Sequence, residues 1–589
     1  MYSKYYQDEL AYLRELGQEY AAKYPAIAPM LAGRGADPDV ERLLEGVAFL
    51  TARIRQKLDD ELPELITSVA TLLFPQLTRP VPGTGILELT PLPNVLREVR
   101  RVPRGTEFES VPVEGTSCRF SSTTDCEVVP LTITDARFLQ VSATEQHLRV
   151  ELSMGAGGAL DQGLPERLRL HLSGEDRLTL TLLLWLLEHT RDVRLVASKL
   201  GSSDEKFVSL GKKALVPFGY AEDEALLPLG NSVFPGFRLL LEYNTLPAKF
   251  AFVEITGMRR TLELETTEGR FALVFVFERA FPLTPQLPPD TLKLNCVPIV
   301  NVFKTTAEPI RLQSERERFL VRPAGLPAEH GEVFDITRVE AISRGSALRQ
   351  ELSPFLDFSH AHQMGGRGRP FYSVHLDPST LYEGADTLIS IGTPENQQTV
   401  YDADILSIEL LATNRKLANS VRAGDVTKAT SSSPPFATFR NLRPITTHIP
   451  SPVGTDLQWR AVAHATTSLR SLTEAEVLRA VLAVYNLQAS VDQQAARAND
   501  LRIESVKGIV AAPAERLYRG SPLRGVSIEV ELEESGFASD GDLYLFGSIL
   551  ERFFSDYVSL NSFSTTSVTG VQSRVHYTWP PRSGSITLI

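Results

Sequence analysis

Hydrophobic spacing changes period near Gly83, and that change constrains the fold more than any short motif does. Before it, Tyr6, Leu10, Leu13, Gly17, Tyr20 and Tyr24 recur at alternating four- and three-residue steps, which predicts one face of a helix. Pro25 and Pro29 end that helix. Asp37 is a suitable N-cap with Pro38 at the first helical position, and Val40, Leu43, Val47, Leu50, Ile54 and Leu58 then keep the helical spacing. A third, short helix is expected from near Pro63 to just before Pro75. Two apolar stripes with one short helix for cover allow two readings: a bundle closed within the chain, or a surface that waits for another chain.

After Gly83 the spacing becomes alternating. Ile86–Leu89, Arg119–Ser122 and Val128–Ile133 read as short strands between Pro/Gly turns, and His147–Leu152 and Arg167–Leu172 each present one apolar face. A helix over Leu178–Glu188 interrupts the strands, which resume at Lys249–Ile255 and Phe271–Phe277. Between about 321 and 450 the pattern weakens, and Gly365–Pro370 and Thr430–Pro435 read as exposed loops or linkers. Thr473 and Glu476 form a capping box before Val477, Leu478, Val481, Leu482 and Tyr485. Val526, Ile528, Val530 and Leu532 alternate as a strand. Leu543, Phe546, Leu550, Phe553 and Tyr557 share a helix face entered near Asp540. Val571, Val575, Tyr577 and Trp579 suggest a last strand ended by Pro580 and Pro581. The expected fold class is α+β: an N-terminal helical segment, β-rich mixed domains and a C-terminal α/β domain, divided as 1–82, 83–320, 321–450 and 451–589.

Size and composition agree with a folded multidomain chain: 589 residues, 43% hydrophobic and 22% charged. A net charge of -12 disfavours a general role on nucleic acid or anionic lipid. Cys118, Cys126 and Cys296 are too few for a disulfide framework and read as buried thiols in a reducing compartment. Asp8 and Glu9 stand where a signal peptide needs basic and then apolar residues, so a cytosolic protein is expected. The apolar run Leu178–Leu187 is about half a membrane span and reads as a buried element.

Residue groupings that carry chemistry are sparse. Phosphate-cradling glycine loops, Gly-x-Ser-x-Gly and His-Glu-x-x-His do not occur. His360 and His362, two apart with Asp357 nearby, have the spacing for a strand-borne zinc site, but a polar loop beside a basic glycine-rich stretch is the simpler reading. Asp223 and Glu224, adjacent on an expected extended strand, point to opposite faces and make a poor acid/base pair. Arg97, Arg100, Arg101 and Arg104 lack the aromatic interleaving of a single-strand nucleic-acid groove and read as a solvated face or a contact for an acidic partner. No catalytic, cofactor or metal residue is assigned, and the chain is expected not to be an enzyme.

A series of segments in order resembles the TssF (VasA/ImpG) family, baseplate wedge subunits of the bacterial type VI secretion system. The series opens with Tyr5–Leu10, Tyr24–Pro25 and Leu72–Pro75. It continues through Pro103–Phe108 with Arg104, Gly105 and Thr106, then Cys118–Phe120 and Val129–Pro130. Asp223, Glu224 and Pro228 follow, then Pro235–Tyr243 with Arg238, Glu242 and Tyr243, and then Lys249. Leu294–Phe303 carries Asn295, Pro298 and Asn301 ahead of Glu308–Ile310, Thr413–Arg415 and Trp459–Arg460. Arg524, Gly525, Leu545–Gly547, Arg552–Phe554 with Phe553, Asn561–Phe563 and Trp579–Arg582 complete it. Ala412, Ala418 and Ala463–Ala465 depart from the family pattern and mark a divergent member.

The resemblance implies a cytoplasmic subunit docked at the inner-membrane secretion complex. Two copies would join one TssG and engage TssK and TssE. Six such wedges would surround the spike hub and start sheath assembly, and baseplate rearrangement would trigger contraction. On this reading Tyr6, Leu10, Leu13, Tyr20, Tyr24, Leu43, Val47, Leu50 and Ile54 pack against TssG helices, the C-terminal region joins the copies, and mobile linkers near 365 and 430 let them differ. The competing readings are a carbohydrate-active hydrolase and a soluble carbohydrate- or peptide-binding protein.

Overall fold

The computed structural model describes residues 2–23, 39, 42–52, 70–71, 73–142, 145–155, 158–197, 206–230, 234–264, 269–283, 286–312, 317–343, 349–355, 370–392, 404–452, 460, 472–518 and 520–584. The fold is α+β. The helical spacing at the N-terminus becomes α1 (Tyr2–Lys23) and α2 (42–52). Pro25, Pro29, Asp37, Pro38, Ile54, Leu58 and Pro63 lie outside the described residues. The chain is helical again at 70–71 and 73, and Pro75 opens a separate buried turn, Pro75–Thr78.

Among the described residues the strands form five sheets of four or more strands and one small pair. A six-stranded sheet runs Val426–Ala429, Glu107–Val113, Thr116–Ser122, Cys296–Val300, Thr84–Pro91 and Ala437–Asn441, so the chain returns to it twice over long separations. A five-stranded sheet centres on Arg270–Phe277, whose run from Phe271 to Phe277 is buried on both faces. An eight-stranded sheet spans 303–413. At the C-terminus, Ser521–Leu532 and Phe563–Gly570 pair in parallel, and the helix between them makes the crossover that parallel pairing requires.

Several expected elements shift, each for a local reason. The strand expected at Val128–Ile133 is two: Cys126–Val128 pairs with Arg100–Val102, and Leu131–Gln140 edges the five-stranded sheet. Between them Val129 bonds both its N–H and its carbonyl to the Asn295 side chain, and Pro130 has no N–H to offer a ladder. The strand expected from Lys249 begins only at Phe252, because Pro247–Phe250 is a 3-10 turn that carries Lys249 into the core. Thr430–Pro435, read as an exposed loop or linker, is a mostly exposed loop, and it is the turn joining two strands of the six-stranded sheet rather than a linker between domains. Thr430 Oγ1 and Ser433 Oγ donate to the Glu107 carbonyl at 2.8 and 2.7 Å, and Ser432 Oγ accepts from the Glu107 N–H. Residues 365–369 lie outside the described residues.

Three further helices are α3 (Asp176–Leu187), α4 (Pro235–Thr245) and α5 (Ala475–Val484). The capping box expected at Thr473 is displaced: α5 starts one residue later, with Glu474 at the cap position and no side-chain cap bond from it. After α6 (Gln493–Glu504), capped by Asp492, comes α7 (Asp540–Ser555), capped by Ser539. The expected single apolar face of α7 is instead burial nearly all round, because α3 and α4 pack on one side and the C-terminal sheet on the other. The last strand is shorter than expected, His576–Thr578. Val571 sits exposed in a turn, and a two-residue strand, Arg582–Ser583, follows the prolines. One continuous apolar core joins Leu77–Leu294 residues to Leu472–Trp579 residues, while the six- and eight-stranded sheets each keep their own.

Candidate functional site

The N-terminal stripe is turned outward. On α2, Ala48 and Ala52 are fully buried, one turn apart, whereas Leu43, Val47 and Leu50 are 69%, 39% and 61% exposed. On α1, Tyr12 and Leu16 are exposed, and Tyr6, Leu10 and Leu13 are half-buried. On α2 the small residues are buried while larger apolar ones face water, an arrangement that leaves apolar area to be covered. The sequence pattern missed Tyr12 and Leu16, which lie off the chosen stripe. The Tyr20 side chain, Tyr24 and Ile54 fall outside the described residues.

The densest set of motif residues forms a buried ionic cluster. Lys249 Nζ bonds Glu242, with neither side chain accessible to solvent, and Arg238 reaches the same Glu242 oxygen from one helical turn away at 3.3 Å. The other oxygen of Glu242 accepts the Leu226 N–H at 2.6 Å, and Arg238 also donates to the Tyr220 carbonyl at 2.9 Å. Burial pushes the Lys249 ammonium down to about 8, against the opposing pull of Glu242. Next along α4, Tyr243 donates to Asp542 at 3.2 Å, and Arg502 grips the same carboxylate at 3.0 and 3.1 Å. Burial raises the Tyr243 phenol well beyond its ordinary range, so it stays a donor. Asp542 and Arg502 are some 300 and 260 residues away in sequence from their partner, which is why no local pattern reveals them.

Asp223 and Glu224 do not lie on a strand. They form a 3-10 turn in which Glu224 accepts the N–H groups of Gly219 and Ala221 at 2.8 and 3.0 Å, while Asp223 is exposed. Pro228 offers its carbonyl to Arg79 at 3.1 Å. Gly105 turns the chain at φ 82°, and Thr106 closes that turn onto Pro103 and Ser122. Asn295 bridges to Val129, Pro298 accepts from Thr123, and Asn301 pairs with Asn414 by two bonds of 2.7 and 2.8 Å. Gly525 is pressed on the Phe563 carbonyl, Phe553 meets Phe237 edge-on at 5.3 Å, and Trp579 covers Tyr544 at 5.4 Å. Arg524 and Asn561 are exposed. Most motif residues thus shape the scaffold.

Within the arginine cluster, Arg100 pairs with Glu98 at 2.6 Å and Arg101 with Asp125. The three cysteines are buried and free, and burial pushes the Cys118 and Cys126 thiols up to about 12 and about 11, where they are poor nucleophiles. No group of three metal-ligating side chains occurs among the described residues; Asp357, His360 and His362 lie outside them. No described helix is long and apolar enough to cross a membrane.

Comparison with known proteins gives one consistent result. The family described as "Type VI secretion system, TssF" matches residues 2–586. The chain is 28% identical to type VI secretion system component TssF1 of Pseudomonas aeruginosa PAO1, over 99% of this chain and 98% of the relative. It is similar, at TM-score 0.77 and 28% identity, to a chain of the TssK–TssF–TssG baseplate subcomplex solved by cryo-electron microscopy, covering 93% of this chain and 99% of that one. A chain of the type VI secretion baseplate complex matches over the full length of both, at TM-score 0.60 and 28% identity.

Proposed function

The chain belongs to the TssF family of the type VI secretion system, and on that premise we propose that it is a structural subunit of the secretion baseplate, acting by assembly and not by chemistry. The observation that carries this reading is the outward apolar face of α1 and α2, with Leu43 at 69% and Leu50 at 61% exposure beside the fully buried Ala48 and Ala52. Such a face is satisfied by a partner of similar character, and the solved relatives assemble with TssK and TssG. The partner taken up by α1 and α2 is a TssG-type subunit, joined by two copies of this chain. TssK, TssE, the spike hub and the cytosolic parts of the membrane complex complete the contacts. The protein works in the cytoplasm, docked at the inner-membrane complex, where baseplate rearrangement releases the sheath. Co-expression with the cognate TssG-type protein followed by native mass measurement tests this: a stable two-to-one complex is expected, and a chain that stays single in its presence sinks the proposal.

A further inference from the structure

The segment 303–413 is inserted into the rest of the chain through one narrow crossing. Among the described residues its eight strands pair only with one another, and its core, from Phe303 and Phe319 to Leu410 and Ala412, draws every buried member from within the segment. Its two ends lie side by side, because Phe303–Thr306 pairs antiparallel with Ile405–Thr413 and sets Phe303 opposite Ala412. The chain leaves the six-stranded sheet at Val300 and returns to that sheet's core at Leu417 and Ala418. At the crossing, Asn301 and Asn414 are fully buried and clamp each other. The Asn414 N–H donates to Asn301 Oδ1 at 2.7 Å, and Asn301 Nδ2 donates to Asn414 Oδ1 at 2.8 Å. Both also hold one residue of the six-stranded sheet: Asn301 Nδ2 donates to the Arg119 carbonyl at 2.7 Å, and the Arg119 N–H donates to Asn414 Oδ1 at 3.0 Å. The clamp thus ties both crossing strands to one point on the body.

Away from the clamp, what holds the segment against the body is mostly polar. Arg79 pairs with Asp335 at 2.8 Å, His448 Nε2 lies 3.1 Å from Glu332 Oε2, and Lys416 pairs with Glu383. His330 Nδ1 meets Thr116 Oγ1 at 2.9 Å, and Arg415 Nε donates to the Gly331 carbonyl at 2.7 Å while its guanidinium stacks 3.5 Å over Tyr382. Among the described residues, Phe334 is the one buried side chain of the segment that joins the central core. Beside it a space of about 260 Å³ is left between Phe334, Tyr372 and Val374 on the segment and Thr78, Pro80 and Ser451 on the body, so this side of the contact is not close-packed. Two of the polar contacts are also imperfect. Glu332 Oε2 and His448 Nδ1 are buried without a hydrogen-bond partner among the described residues. Burial holds the Arg79 guanidinium below its ordinary range and the Asp335 carboxyl above its own, against the attraction between them, so this pair orients the contact more than it binds it. A polar, incompletely packed contact between two separate cores makes relative domain motion the expected behaviour.

We propose that residues 303–413 form a swinging domain, which pivots as a rigid body on the Asn301–Asn414 clamp and is latched to the body by Arg79–Asp335, Glu332–His448 and Lys416–Glu383. The clamp's bonds sit at the crossing itself and survive a rotation, whereas the latches lie to one side of it and break. Arg415, next to the clamp, is left-handed at φ 52°, a backbone conformation that an arginine keeps only where its surroundings hold it. Releasing Gly331 and Tyr382 frees it to relax, which offsets part of the cost of opening. The swing belongs to the chain alone. On the assembly proposed above, it lets two copies of one sequence take up different shapes.

The test is double electron–electron resonance on the full-length chain with nitroxide labels at Gln350→Cys and Thr438→Cys. Gln350 opposes Ala341, at the end of the strand Glu332–Ile342 remote from the crossing, and Thr438 lies in the six-stranded sheet. Both are exposed, and the three native thiols are buried, so labelling is selective. The distances are expected to show a docked population and a minor displaced one. Asp335→Asn should raise the displaced fraction about five-fold. Lys416→Glu, at a pair 55% and 73% exposed, is a second lesion that spares folding and should raise it about two-fold. Lys507→Glu breaks an ion pair with Glu533 away from the domain and should change nothing. Labels at Gln350→Cys and Leu381→Cys, both within the domain, should keep one narrow distance in every variant. A single narrow distance across the crossing in all variants overturns the swing, as does a displaced fraction indifferent to both lesions. Broadening within the domain overturns it too, because the sheet itself would then be loosening. If Asp335→Asn fails to fold, Lys416→Glu decides. No TssG-type subunit is present in these measurements, so their outcome is separate from that of the two-to-one assembly.

Discussion

Lys249 and Glu242 hold each other where no water reaches either side chain. Arg238, one helical turn before Glu242, makes the arrangement two cations on one carboxylate, with the Leu226 N–H as a further donor. Removing one member strands a buried charge, so Glu242→Ala, which leaves two unpaired cations, should cost about 3–5 kcal/mol. Lys249→Met should cost less, since Arg238 remains to neutralise Glu242. The double substitution Lys249→Met with Glu242→Ala should cost less than the two single changes added together. Urea unfolding of the four proteins checks this, and simple additivity would show that the two side chains are not energetically linked.

A second prediction concerns acid. Glu534 accepts the N–H groups of Gln572 and Ser573 and the Ser573 hydroxyl, at 2.7 to 3.1 Å. Desolvation pulls its carboxyl upward, but these donors outweigh it and hold it at about 2, against an ordinary 4.5. A depressed folded value means that this stabilisation is fully present above about pH 4.5 and is lost as pH falls toward 2. Glu534→Gln should therefore lower stability at pH 7 by about 1–2 kcal/mol and flatten the acid dependence between those limits. Unfolding midpoints at pH 7, 4 and 3 measure it, and parallel curves for the two proteins would count against the assignment.

For α2 the expected outcome separates assembly from folding. Leu43→Asp and Leu50→Asp touch side chains that are 69% and 61% exposed, so each should change the stability of the isolated chain by no more than about 0.5 kcal/mol. Each should nonetheless abolish recovery of the TssG-type partner in co-purification. Loss of the folded chain itself would mean that these positions belong to its own core. Full retention of the partner would mean that the stripe is not the interface.

How much was legible beforehand depended on whether a feature is local. Arg167–Leu172 and Phe271–Phe277 alternate or run apolar within a few residues, and both are strands within one residue of expectation. Lys249 sits in an apolar run that looks like a strand start, yet Pro247 turns it inward toward a partner seven residues back, an ionic preference that periodicity does not register. The cap at Thr473 moved by one residue to Glu474, which makes no side-chain cap bond; helix ends fray by a residue or two and the local pattern does not fix the terminal one. Phe563–Gly570 was missed because Ser564, Thr565, Thr566, Ser567 and Thr569 make it read as polar, although the parallel pairing with Gly525–Leu532 buries much of it. The Tyr243–Asp542–Arg502 set and the Arg79–Asp335 pair join distant segments, and only the fold brings them together.

The last prediction follows from how closely α7 approaches its neighbours. Gly541, in the first turn of α7, lies against the Leu180 backbone of α3, and a Cβ there would collide with the Leu180 carbonyl. Gly236, in the first turn of α4, stands in the same relation to the Cα of Phe553 on α7, where a Cβ would come within 2.7 Å. The obstacle at Gly541 is backbone rather than a flexible side-chain end, so α7 must lift from α3 to admit a methyl group. Gly541→Ala should therefore cost about 1–3 kcal/mol, in the manner of an overpacked core. Gly46, inside α2, is the internal control: nothing lies within 4 Å of its would-be Cβ. Ala there relieves only the helix-propensity penalty and should stabilise by about 0.5–1 kcal/mol. Unfolding measurements on both single variants should therefore move in opposite directions. If Gly541→Ala were neutral, the contact between α3 and α7 would be looser than the apposition of Gly541 and Leu180 requires.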